Sequence, residues 1–228
     1  MSVGTFHSIS ARILRKEIHQ LGYNNDFVIY DMEDSRALVK GVIRDLNLDE
    51  KTFVPKAVQA QISKVKNKMI SPELMTKTTE GFFDEKVSEI YSLYQASLRG
   101  NNALDFDDLI MIPTLLLSQN VTARERWQQR FRYLLVDEYQ DTNTSQYQLV
   151  KLLVGERARF TVVGDDDQSI YSWRGAKPQN LVLLSKDFPG LRLIKLEQNY
   201  RSAGRILKAA NILIANNPPE FDKKLFSE

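Results

Sequence analysis

Asp137 and Glu138 stand side by side immediately after the apolar run Leu134-Leu135-Val136. Such a run reads as a buried parallel strand. Ligands of open α/β sheets bind just beyond the carboxyl ends of such strands. One carboxylate there can hold a magnesium ion, and its neighbour can take a proton from a water attacking a γ-phosphate. A second reading stays open, in which the acids cap a helix in a strand-to-helix turn.

Two further segments carry chemistry-bearing residues. Thr161-Val162-Val163 runs into Gly164-Asp165-Asp166-Asp167-Gln168-Ser169-Ile170-Tyr171-Ser172-Trp173-Arg174-Gly175. Gly164 gives the chain a free exit from the sheet. Gln168 can donate to a phosphate oxygen and accept elsewhere, so it can report a γ-phosphate. Tyr171, Trp173 and Arg174 combine aromatic faces with a cation, a mixture suited to single-stranded nucleic acid. A loop with a packed Trp and three solvated acids fits equally well. Farther on, Leu196 leads into Glu197-Gln198-Asn199-Tyr200-Arg201-Ser202. Arg201 is a candidate arginine finger, and Tyr200 can stack on a base. Alternatively, Ser202 caps a helix and Arg201 makes a surface ion pair.

Near the start, Ser8 is a good N-cap, while Thr5 and His7 can contact a phosphate backbone. Asp105 and Asp108, three apart, resemble a capping pair at a helix start, and a structural role is favoured for them. Arg12, Arg15 and Lys16 form one basic cluster, and Lys64, Lys66 and Lys68 another. Both read as solvated helix faces, with DNA contact as the alternative.

The elements that must position these groups differ between the two halves. The first half is helical. Ile9, Ile13, Leu14, Ile18 and Leu21 recur at helical spacing before Gly22, a C-cap. Asp31 to Asn47 contains a helix with Leu38, Val42, Ile43 and Leu46 on one face, and further helices cover 55–68 and 79–98. Tyr91 and Tyr94 read as core. In the second half, strands at 132–136, 160–163 and 191–196 alternate with helices at 145–154 and 178–187. That order predicts right-handed crossovers and a parallel sheet. Residues 203–215 read as an amphipathic helix with Ile206, Leu207, Ala210 and Ile214 inward, stopped by Asn216-Asn217-Pro218-Pro219.

Composition narrows the classes. With 228 residues, 43% apolar, the chain can bury a substantial core in one large domain or two small ones. A formal net charge of +2 means that any basic groove must be local. The absence of cysteine excludes disulfides and thiolate metal sites, and two histidines are too few for a histidine-rich one. No apolar run approaches the roughly 20 residues of a membrane span, and the first residues lack signal-peptide character, so a cytoplasmic protein is expected.

Five blocks occur in one order: Thr5-Phe6-His7-Ser8, Leu104 to Leu109, Asp137 to Thr142, Gly164 to Ala176, and Gln198 to Ser202. Together they resemble the superfamily-one DNA helicases of the UvrD, PcrA and Rep group over essentially the whole chain. The resemblance implies an α/β fold: part of a RecA-like P-loop NTPase parallel sheet with an inserted all-helical subdomain. Residues 1–22 and 103–198 would belong to the first motor domain, 23–102 to the insertion, and 199–228 to the start of a second motor domain. It implies ATP and Mg2+ as cofactors. Asp137 would hold the metal, Glu138 activate water, Gln168 sense the γ-phosphate, Tyr200 stack near adenine, and Arg201 act as the finger. Thr5, His7, Tyr171, Trp173 and Arg174 would line the path of single-stranded DNA. Forked or partly duplex DNA and replication proteins are the implied partners, with 3′-to-5′ movement. One departure matters: the chain contains no G-x-x-x-x-G-K-[ST] loop to cradle phosphates. In the family that loop precedes the Thr-Phe-His block. The chain is therefore expected to be an inactive segment of a longer helicase, with a P-loop-less DNA- or partner-binding protein of the same descent as the alternative.

Overall fold

The computed structural model describes every residue except 218–220, 222 and 228, along with all side chains in the described elements but that of Arg174. The chain divides into two compact units, residues 1–132 with 144–157, and residues 133–143 with 158–228.

The first unit is almost entirely helical. It contains α1 (Phe6–Glu17), α2 (Met32–Asp45), α3 (Pro55–Lys66), α4 (Pro72–Thr78), α5 (Phe82–Gly100), α6 (Asp108–Gln119), α7 (Val121–Arg130) and α8 (Thr144–Val154). Two two-residue strands, β1 (Val28–Ile29) and β2 (Ala103–Leu104), pair in parallel. They were too short to show a period in sequence. The expected Gly22 cap forms in the left-handed region at φ 79°. Asp31 opens α2 with a reciprocal capping box: its carboxylate accepts from Glu33 and Asp34 N–H groups, and Asp34 accepts from the Asp31 N–H. At α1, however, the cap is Thr5, whose Oγ1 accepts from the Ser8 N–H at 3.3 Å. The helix begins three residues earlier than a Ser8 cap requires.

Apolar spacing decides the packing. Val42 and Ile43 of α2 are buried with Val58, Ile62, Met75, Val87 and Ile90, and Leu38 and Leu46 lie against this core. Tyr91 and Tyr94 are buried there too, as expected. A second core joins Ile13 of α1 to Ile110, Leu116 and Leu117 of α6, Trp127 of α7, and Leu149 and Leu153 of α8. α6 is apolar on nearly every side because it packs against α1, α7 and α8 together.

The expected solvated cluster at Lys64, Lys66 and Lys68 needs correction. Lys64 and Lys68 are exposed, but Lys66 is wholly buried. Its Nζ lies 2.7 Å from Asp105 Oδ2 and 2.8 Å from Asp108 Oδ1. Tyr94 donates to Asp105, and Gln95 donates to Asp108. Asp108 N–H in turn donates to Asp105 Oδ1 at 2.8 Å, so the two acids do pair, although the cap position of α6 itself is Asp107, whose side chain makes no cap bond. Burial pulls the Lys66 ammonium down, but the two carboxylates outweigh it and hold the group above the usual lysine range. Burial and the neighbouring Asp105 charge push Asp108 up to about 6 despite the lysine.

The second unit contains β3 (Leu134–Val136) and β4 (Phe160–Val162), parallel and in register from Leu134 opposite Phe160 to Val136 opposite Val162. Two helices follow, α9 (Gln179–Asp187) and α10 (Gly204–Ile214). These match the strand and helix positions read from sequence, but the expected burial of β3 is not met: Leu135 is exposed, and Leu134 and Val136 are only half-buried. The expected third strand at 191–196 does not form; its residues run without strand pairing, and only an isolated bridge joins Gln198 to Phe226. Leu193, Ile194 and Leu196 are exposed. An apolar run becomes a strand only where a neighbour supplies its ladder partners, and none does so among the described residues. Of the four expected inward positions on α10, Leu207 is buried, while Ile206 and Ala210 are exposed and Ile214 is intermediate. Pro218 and Pro219 of the expected stop lie outside the described residues. The fold is thus mixed α/β, mostly helical, with small parallel sheets. No described helix is long and apolar enough to cross a membrane.

Candidate functional site

Both acids sit at the carboxyl end of β3 and are exposed. Glu138 adopts φ 52°, ψ 43°, the left-handed region that costs a residue with a Cβ about 1–3 kcal/mol. Four hydrogen bonds fix this turn. Glu138 N–H donates to Asp137 Oδ1 at 2.9 Å, and Asp141 N–H donates to the Glu138 carbonyl at 3.0 Å. Tyr139 N–H donates across to the carbonyl of Val163, the residue after β4, and Gln140 Nε2 donates to Glu138 Oε2 at 2.8 Å. The backbone of Glu138 shares the left-handed region with Asn47, Met69, Asn102 and Ala158, and its carboxylate stays exposed. Burial, followed by the Glu138 charge, holds the Asp141 carboxyl above its usual range.

The loop after β4 returns to this turn. Gln140 Oε1 accepts from the Asp165 N–H at 3.0 Å, and Asp165 Oδ2 accepts from Gln168 Nε2 at 2.6 Å. The predicted Glu138 and Gln168 are therefore joined through Gln140 and Asp165. Gly164 permits the approach: a Cβ there would lie 3.0 Å from Gln140 Oε1 and 3.3 Å from Gln140 N. Asn180 of α9 braces the same turn, its Nδ2 donating to the Thr142 carbonyl and Oγ1.

Beyond Gln168, the aromatic residues stand out in solvent. Trp173 is 73% exposed and Tyr171 38%, with ring centroids 6.4 Å apart and tilted by 52°. The alternative of a packed Trp173 is thereby corrected. So is that of three solvated acids: Asp165, Asp166 and Asp167 are half-buried around the Lys223 ammonium, which lies 3.0 Å from Asp167 and pairs with the other two. Arg174 falls in a turn that ends at Gly175, φ 87°.

Tyr200 is 86% exposed, its hydroxyl donating to Gln198. Arg201 is exposed on a turn in which Asn199 Oδ1 accepts from the N–H groups of Arg201 and Ser202. Ser202 is not the cap of α10; that position belongs to Ala203, and Asn199 organises the approach instead. In the first unit, Thr5 is exposed and half-buried His7 lies tilted against Phe106 at 5.3 Å. Burial holds its imidazole below the usual histidine value, so it is neutral at pH 7. Sequence reading missed Gln140 and Asn180 as organisers; the Gln140 side chain follows the acid pair by two residues, the one signal that could have drawn notice.

An exposed, adjacent carboxylate pair fits a hydrated magnesium ion, which keeps several of its waters. Residues 1–189 match the model of the UvrD/REP helicase N-terminal domain. The chain belongs to the UvrD/REP helicase family. It is 58% identical over all 228 residues to the ATP-dependent DNA helicase Rep of Salmonella typhimurium and to that of Escherichia coli. It is 46% identical over 226 residues to the ATP-dependent DNA helicase PcrA of Bacillus subtilis. The chain spans 34% of the two Rep proteins' length and 31% of that PcrA.

Proposed function

We propose that this chain is the segment of an ATP-driven, 3′-to-5′ single-strand translocase that handles water, metal and part of the DNA contact. Asp137 holds Mg2+ and Glu138 accepts the proton of the attacking water. Gln168 reads the γ-phosphate, Tyr200 stacks near adenine, and Arg201 meets the charge of the transferred phosphoryl group. The magnesium ion, when bound, would neutralise phosphate charge. Trp173 and Tyr171 stack on bases, Arg174 pairs with phosphate, and Thr5 with neutral His7 makes backbone hydrogen bonds. Residues 1–22 and 103–198 are assigned to a RecA-like motor domain, 23–102 to its helical insertion, and 199–228 to the start of a second motor domain. The substrate is single-stranded DNA beside a fork or duplex, in the cytoplasm. One observation carries the reading: a single hydrogen-bonded relay joins strained Glu138 to Gln168, in the same loop that exposes Tyr171 and Trp173.

Two measurements on the 228-residue chain test this. Trp173→Ala should weaken binding to a fluorescent oligothymidylate by about 1–3 kcal/mol, the range for losing one base-stacking surface. Equal anisotropy curves would remove Trp173 from the DNA path. The chain alone should release no phosphate from ATP, with or without DNA, because it has no loop to hold the phosphates in place. DNA-stimulated phosphate release would show that this loop is dispensable. A P-loop-less binding protein would pass both tests, and it separates from the helicase reading when the loop is supplied in a longer chain.

A further inference from the structure

We infer that Gln140 is a positioning residue that sets the Glu138 carboxylate and ties it to the γ-phosphate-sensing loop. This rests on the proposed role of Glu138. The Gln140 side chain is 1% exposed and uses both ends of its amide. Nε2 donates to Glu138 Oε2, and Oε1 accepts from the Asp165 N–H. The amide therefore spans the carboxyl ends of two neighbouring strands, β3 and β4. It fills the space that Gly164 leaves by having no Cβ, so the two backbones close upon it. Its own backbone is fixed within the turn that closes at Tyr139, whose N–H bonds the Val163 carbonyl.

The two ends do different work. A donor on Oε2 restricts the rotamers of a glutamate whose backbone is already held in the left-handed region, leaving Oε1 to face a water. An acceptor on the Asp165 N–H fixes the start of the loop, and Asp165 Oδ2 in turn holds Gln168. Movement of the Gln168 loop would thus be felt at the Glu138 carboxylate through one side chain. Neither asparagine, too short to span both contacts, nor glutamate, which cannot donate when ionised, reproduces the pair.

Two variants separate the halves. Gln140→Met keeps the volume and loses both bonds. Gln140→Glu keeps an acceptor for the Asp165 N–H but sets a buried carboxyl against Glu138, so that the two share a proton and Glu138 becomes a poorer base. In the 228-residue chain, amide exchange at Asp165 should rise at least about tenfold in Gln140→Met and remain slow in Gln140→Glu, while Val163, bonded within the sheet, stays protected in both. In a full-length helicase carrying this segment, both variants should lower kcat by roughly ten- to a hundredfold, the effect expected for a hydrogen bond to a charged group, with KM for ATP within about twofold. In a Glu138→Gln background, Gln140→Met should lower kcat no further. Unchanged Asp165 exchange in Gln140→Met, or wild-type kcat in both variants where Glu138→Gln is inactive, would overturn the inference. Full turnover in Glu138→Gln would instead overturn the role of Glu138 itself, whatever Gln140 does. If Gln140→Met does not fold, Gln140→Leu, which also lacks both bonds, takes its place in each measurement, and wild-type Asp165 exchange or wild-type kcat in it rejects the proposal.

Discussion

Glu138→Gln, introduced into a helicase that carries this segment with its phosphate loop, should bind ATP and single-stranded DNA normally and hydrolyse almost none. The amide keeps the shape of the side chain but cannot accept the proton of the attacking water. Arg201→Ala should lower turnover about a thousandfold or more by removing charge that meets the developing negative charge of the transferred phosphoryl group. Trp173→Ala belongs to another class. It should reduce DNA affinity and DNA-stimulated turnover while affecting basal turnover far less, because it removes a stacking surface rather than a group at the phosphates. The comparison between classes is the test, read from steady-state ATPase with and without oligothymidylate and from nucleotide binding. Near wild-type turnover in Glu138→Gln would reduce Asp137 and Glu138 to a structural turn. Loss of basal turnover in Trp173→Ala with unchanged DNA affinity would make Trp173 a packing residue.

The place of the acid pair was legible because the apolar run before it forms a parallel strand. Leu134 to Val136 can be read as a strand from three residues, and whatever follows a parallel strand stands at its functional end. Helices α1, α2, α3, α5, α8, α9 and α10 were legible for a similar reason: each repeats its apolar residues at helical spacing over two turns or more. α4 is only seven residues long, and β1 and β2 only two, so no period had room to develop. The missing strand at 191–196 failed for the opposite reason. Its pattern is clear, but strand formation depends on a neighbour, and neighbours are not written in the segment itself. The exposed Ile206, Ile212 and Leu213 on α10 show the same limit for a helix: an apolar face is a property of the sequence, its covering is not. Gln140 was overlooked because an amide has no chemical signature until its two partners, one on each strand end, are brought to it.

Lys66 illustrates that limit most sharply, since three alternating lysines read as a solvated face and one of them is the centre of a buried ion network. Lys66→Met should destabilise the 228-residue chain by about 3–5 kcal/mol in urea unfolding followed by circular dichroism, because the stem is replaced but two buried carboxylates lose their cation. Lys64→Met and Lys68→Met, at exposed positions, should stay within about 0.5 kcal/mol of wild type. The pH dependence separates charge from packing. In the wild type, the folded-state values of Lys66 and Tyr94 both lie above their unfolded values. The native state therefore keeps protons that the unfolded chain releases from about pH 10 upward, and stability falls as pH rises through that region. Lys66→Met should lose the lysine's share of that alkaline decline. Its deficit at neutral pH should also shrink on acidification toward about pH 4.5, because Asp105 and Asp108, buried without their cation, can be neutralised by protons instead. A deficit that is flat from pH 4.5 to 8 would mean that Lys66 contributes by packing alone, and that the hydrogen bonds from Tyr94 and Gln95 suffice to hold both carboxylates.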